Sequence, residues 1–181
     1  MAELSRREML IGTAVGGGAI TLMLAGPVVG FLLSPLFTKR RTETAVIGPI
    51  DSVPVNTPTP FIARLNEGDG WNIGPIPRVV YVVKYQQVVG PGQPPPTLLV
   101  FSNTCTHMQC DVHWDGTFVG AGDPVLNGRF ICPCHGGLYL MNGTNIYGPP
   151  PSPLPQWVHE VFTGEDGKTY VRIQNDFTEK I

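Results

Sequence analysis

An all-β, mostly antiparallel head behind one N-terminal membrane-spanning helix is the fold this chain of 181 residues predicts. Three observations carry that expectation. Residues 9–37 run for 29 positions without a charge. The remainder alternates short β-prone runs with turn dipeptides. Gly and Pro together supply 41 residues, 22 and 19, roughly twice their ordinary share of ~12%.

Composition narrows the function classes. A length of 181 residues allows one domain and an additional segment, at ~100–200 residues per domain. A hydrophobic share of 42% excludes a disordered chain, and a formal net charge of -2 offers no basic field for nucleic acid. All four cysteines lie between Cys105 and Cys134. That is too few to staple a scaffold of this size and enough for one local site.

The charge-free run 9–37 is long enough for a helix to cross a ~30 Å hydrocarbon core even with Pro27 inside it. A buried core helix seldom runs this long without charge. A removable signal has a shorter apolar region of ~7–15 residues and a small-residue cleavage site, and no clear Ala-x-Ala follows here. Gly12 with Gly16, and Gly26 with Gly30, have the spacing that lets spanning helices approach closely. Residues 1–8 form the cytoplasmic segment, where Ser5-Arg6-Arg7-Glu8-Met9-Leu10 resembles the twin-arginine export signal used by proteins that cross already folded. Lys39, Arg40 and Arg41 outnumber Arg6 and Arg7 by one, so the positive-inside count favours the opposite orientation. The export signal outweighs that statistical difference, placing the head outside the cytoplasm.

Residues 38–60 are polar and Pro-interrupted, and predict an extended flexible tether. The head, 61–181, predicts strands at 79–85, 97–101, 129–131, 157–162 and 169–173. Asp115-Gly116, Asn127-Gly128, Asn142-Gly143 and Asp166-Gly167 predict type I′ hairpin turns, whose two central residues take positive φ. His113 and His159 have no partner motif and read as surface or strand residues; Trp114 and Trp157 read as core.

The chemistry lies in Cys105-Thr106-His107-Met108-Gln109-Cys110 and Cys132-Pro133-Cys134-His135-Gly136-Gly137, with 21 residues between Cys110 and Cys132. Each segment holds two cysteines and one histidine, so two loops can clamp one small inorganic centre. Structural zinc also takes Cys2His2, but its usual spacings separate a Cys pair from a His pair, whereas here they interleave.

This double motif resembles the Rieske iron-sulfur family, which implies an antiparallel β domain with an inserted cluster-binding subdomain at about 102–153. The resemblance implies a 2Fe-2S cluster with Cys105 and Cys132 as thiolate ligands of one iron and His107 and His135 as imidazole ligands of the other. It also implies a Cys110–Cys134 disulfide tying the loops together. Neutral imidazoles in place of two thiolates reduce the cluster's negative charge and raise its potential. In high-potential members a Ser and a Tyr donate hydrogen bonds to the cluster and a ligand sulfur; the matching positions are Gly137 and Tyr139. One hydroxyl is therefore missing, which implies a lower potential and menaquinol as donor. Gly148-Pro149-Pro150-Pro151 resembles the family's Pro-rich loop beside the cluster. Met108-Gln109 departs from the commoner Leu-Gly and alters the surface beside His107.

The function implied is the electron-transfer subunit of a quinol-oxidising cytochrome bc-type complex in a bacterial cytoplasmic membrane, with cytochrome b-like and cytochrome c-type partners. His135, with His107 beside it, would be the catalytic contact with quinol, and the tether would let the head move between partners. Two alternatives stand beside it: a Rieske small subunit of a periplasmic arsenite-oxidase-like enzyme, and a zinc-stabilised extracytoplasmic binding module.

Overall fold

The computed structural model describes residues 5–37, 43–65, 74–87, 94–118 and 127–178. The chain divides into two units, Met1–Arg41 and Thr42–Ile181.

The first unit is one helix, α1 (Arg6–Phe37), long and apolar enough to cross a membrane. It starts in a capping box: Glu8 N–H donates to Ser5 Oγ at 3.3 Å, and Ser5 N–H donates to Glu8 Oε2 at 2.9 Å. Ser5 and Glu8 thus have a local folding role whatever reads the arginines between them. The helix continues through Pro27. Its hydroxyls turn back onto its own carbonyls, Thr13 to Met9 and Thr21 to Gly17, both at 2.8 Å. In hydrocarbon such polar groups have no water to bond.

The second unit contains ten strands among the described residues: β1 (Thr44–Ile47), β2 (Thr59–Leu65), β3 (Ile76–Tyr85), β4 (Thr97–Ser102), β5 (His113–Asp115), β6 (Arg129–Cys132), β7 (Gly137–Tyr139), β8 (Asn145–Tyr147), β9 (Trp157–Thr163) and β10 (Thr169–Phe177). They form three antiparallel sheets, ordered β1-β10-β9, β2-β3-β4 and β5-β6-β7-β8. The expected all-β head with one N-terminal apolar helix is the fold observed.

Strand β3 explains how the sheets share a core. Its run Val80-Tyr81-Val82-Val83 is buried at every position, and the two-residue period sends alternate side chains to opposite faces. Val80 and Val82 join a core with Ala45, Ile47, Val100, Val171 and Ile173. Tyr81 and Val83 join a second core with Phe101, Phe130, Tyr139, Leu154 and the two thiols Cys105 and Cys132. Phe130 is the hub of the second core, with Tyr81, Phe101 and Trp114 edge-on at 5.1, 6.0 and 4.9 Å.

Two expectations are overturned. The flexible tether at 38–60 does not extend that far, because Thr44–Ile47 pairs with β10 and Ile47, Ile50 and Val53 are buried. Alternate apolar residues in Thr44-Ala45-Val46-Ile47 give this edge strand a buried side. Residues 38–42 lie outside the described residues. The type I′ turns do not form at Asp115-Gly116, Asn142-Gly143 or Asp166-Gly167, since Asn56 and Gln109 are the non-glycine residues with positive φ among those described. Instead Gly143 and Gly167, at φ 80 and 73, each end a turn, donating to Leu140 and Gly164 carbonyls. Asn142 and Asp166 side chains accept the amides of Thr144 and Lys168, which needs no positive φ at the Asx residue.

Phe130→Ala should cost about 3–5 kcal/mol, the range for emptying a buried aromatic site. Denaturant unfolding checks this; a loss well below that range would show that Phe130 is not the hub of the second core.

Candidate metal centre

The two cysteine-histidine loops are set by the strands that feed them. The first leaves β4 and is closed on itself: Cys105 N–H donates to Cys110 O at 2.9 Å, and Gln109 N–H donates to Cys105 O at 3.0 Å. At its base Thr104 bridges Asp111 and the Asn103 side chain donates to Asp111 at 3.0 Å. The second loop connects β6 and β7, where Cys132 stands opposite Gly137. Gly136 takes φ 68, and its amide donates back to Cys132 O at 3.1 Å.

The six motif residues meet in pairs across the two loops. Cys110 and Cys134 form the disulfide, a bridge of sequence separation 24. Cross-links of this span are worth about 3.5 kcal/mol on the chain-entropy model. Cys105 and Cys132 are free and only 1% and 2% exposed. His107 and His135 are exposed, their rings 4.8 Å apart edge to face. Cys132 Sγ also lies within 4.8 Å of both Cys110 and Cys134 Sγ, but those two sulfurs are committed to each other.

The sulfurs sit in matched nests of donors. Cys105 Sγ accepts from the amides of His107 and Met108, and Cys132 Sγ from those of Cys134 and His135. Each loop therefore folds back over its own first cysteine, which suits a thiolate better than a thiol. Burial pushes the Cys105 thiol up, but the Tyr139 hydroxyl and the surrounding donors outweigh it and hold it below the usual thiol value. Burial raises Cys132, and Cys105 as the acceptor of its proton raises it further. Burial and the same sulfur push Tyr139 up to about 12, so its proton stays available for donation.

Tyr139, buried in the second core, reaches Cys105 Sγ at 3.2 Å. Thr106 N–H donates to its oxygen at 3.3 Å, while Thr106 Oγ1 donates to Ser152 O at 2.8 Å. Thr106 thereby ties the first loop to the chain after the Pro-rich loop. Sequence reasoning missed Thr106, although its place between Cys105 and His107 was a signal. It also missed the amide donors, which no side-chain pattern records. Gln109 takes φ 59, a left-handed conformation for a residue with a Cβ. In a residue other than glycine that conformation carries backbone strain of order 1 kcal/mol.

This donor set fits an iron-sulfur cluster: two buried free thiols lined with amide donors beside two facing imidazoles. Two Cys and two His would also suit zinc on ligand type alone, and likeness to known proteins separates the two. The profile described as the Rieske [2Fe-2S] domain matches residues 63–158. The chain is 30% identical over 172 residues to the menaquinol:cytochrome c reductase iron-sulfur subunit of Bacillus subtilis (strain 168), covering 93% of this chain and 92% of that one. It is 31% identical over 172 residues to the cytochrome b6-f complex iron-sulfur subunit of Chlorobaculum tepidum, covering 94% and 77%. A solved chain from a hyperthermophilic respiratory Complex III aligns over 86% of this chain and 98% of its own length, at 19% identity and a TM-score of 0.37.

Tyr139→Phe removes a donor from Cys105 Sγ. Because that donor stabilises the anion, the first thiolate to form on titrating cluster-free protein should appear at higher pH, read by ultraviolet thiolate absorbance. An unchanged first wave would show that the hydroxyl does not act on the sulfur.

Proposed function

The chain belongs to the Rieske [2Fe-2S] domain family, and from that premise we propose that it is the iron-sulfur subunit of a menaquinol:cytochrome c reductase of the cytochrome bc type. The observation that carries the proposal is the contact of two exposed imidazoles, His107 and His135, across the two loops that also carry the buried Cys105 and Cys132. Cys105 and Cys132 would hold one iron of a 2Fe-2S cluster and His107 and His135 the other. When bound, the cluster supplies a one-electron acceptor of raised potential, because two of its ligands are neutral.

The chain's own residues do the rest. An exposed ring nitrogen of His135, with His107 beside it, accepts the hydrogen bond of a quinol hydroxyl and takes up its proton. The amides of His107, Met108, Cys134 and His135, with the Tyr139 hydroxyl, would stabilise negative charge on the sulfurs that hold the cluster. Position 137 contributes no hydroxyl, which leaves that charge less stabilised and suits a low-potential quinol such as menaquinol.

Helix α1 anchors the protein in the bacterial cytoplasmic membrane as a single span. The Ser5-Arg6-Arg7-Glu8 segment directs export of the folded, loaded head, which lies on the extracytoplasmic side. A cytochrome b-like subunit bearing the quinol site and a cytochrome c-type electron acceptor are the partners.

Purification of the full chain from detergent-solubilised membranes tests this reading. Iron and acid-labile sulfide in equal amounts, a Rieske-type EPR signal after dithionite reduction and co-purifying cytochromes b and c are expected. Absence of iron would contradict the cluster assignment. A released head accompanied by a molybdenum enzyme would instead support the arsenite-oxidase-like alternative.

A further inference from the structure

Two glycines and a proline bring the second loop and the Pro-rich loop into close approach. Gly137 is buried, and a Cβ built on it would lie 2.6 Å from Pro150 Cγ, 3.1 Å from Pro150 Cδ and 3.5 Å from Cys132 Cβ. Gly148, at φ 88, is equally close to it: a Cβ there would lie 2.9 Å from Gly137 Cα and 3.1 Å from Gly137 N. Neither position has room for a side chain. At Gly136, one residue earlier, an added Cβ would meet nothing within 4 Å, so within the second loop the tightness falls on position 137.

The obstacle at 137 does not yield easily. Pro150 is buried, and its ring is closed onto its own backbone with φ held near -65°, so it cannot rotate aside as a long side chain could. The ring occupies the volume that a residue-137 side chain would fill, beside the Cβ of Cys132.

We propose that Pro150 is a positioning residue that excludes any side chain from position 137 and thereby keeps hydroxyl donors away from the Cys132 side of the centre. The missing hydroxyl is enforced by both loops together, and changing Gly137 alone cannot supply it. The two sulfurs are then tuned differently. Cys105 receives the Tyr139 hydroxyl from the core, whereas the donors to Cys132 are the amides of its own loop. This inference rests on Cys132 being a ligand of the cluster, as proposed above.

A substitution cycle on the full-length, cluster-loaded protein tests it with Gly137→Ala, Gly137→Ser and Pro150→Ala, singly and with each residue-137 change combined with Pro150→Ala. Unfolding temperature, cluster half-life and midpoint potential are read on each protein. The alanine arm reads the clash and the serine arm reads the clash plus the donor. Gly137→Ala and Gly137→Ser alone should each lower the unfolding temperature and shorten the cluster half-life several-fold. Adding Pro150→Ala should recover much of both losses. The midpoint potential should rise in Gly137→Ser/Pro150→Ala and not in Gly137→Ala/Pro150→Ala.

Two results would overturn the proposal. One is Gly137→Ser alone keeping the wild-type unfolding temperature while raising the potential as far as the double variant does. The other is stability losses that simply add, with no recovery on removing the ring. A wild-type protein without a Rieske-type EPR signal would count against the ligand assignment instead, and the coupling in unfolding temperature would still decide whether Pro150 excludes the side chain.

Discussion

Two cysteine sulfurs buried side by side are the constraint on which the rest of the head depends. Burial disfavours either thiolate, and the first charge to form disfavours the second. The chain meets this locally, by folding each loop so that two of its own amides point at its first cysteine. It meets it globally by bringing the Tyr139 hydroxyl up from the core to Cys105. Such a pair cannot be held by one loop, and the Cys110–Cys134 bridge joins the two.

The sheets below serve that arrangement by being stiff. Strand β3 is buried on both faces and gives one row of side chains to each core, so the cluster-side core is built on a strand already fixed in the other. Phe130 carries the fixing forward, since β6 that bears it ends at Cys132. Tyr139 at the end of β7 is packed in the same core and delivers its hydroxyl from a buried ring. The Gly and Pro excess acquires a physical reading at this level. Gly137 and Gly148 allow the second loop and the Pro-rich loop to approach closely, where side chains would force them apart.

The most legible features were those written in side chains. Strands β3, β4, β6, β9 and β10 followed from β-branched and aromatic runs, and the six Cys and His residues marked both loops before any geometry was known. The disulfide implied by family resemblance is present. Strands β1 and β2 were missed because Thr44–Ile47 is short and Pro60 interrupts the β2 signal. What holds β1 is its register with β10, more than a hundred residues away, which no local window contains. The donor nests were invisible for a different reason, since an amide has no sequence signature. The fit of Pro150 over Gly137 was equally hidden, because it is a property of two loops in contact.

On the proposed assignment Cys105, Cys132, His107 and His135 share one cluster, with His107 and His135 as its nitrogen ligands. Pulsed EPR of the dithionite-reduced protein, prepared with 15N-labelled histidine, tests it most directly. Strong hyperfine coupling from two histidine nitrogens is expected, with the signal lost when either His107 or His135 is replaced. A signal with no histidine coupling, or one unchanged by replacing His135, would contradict it.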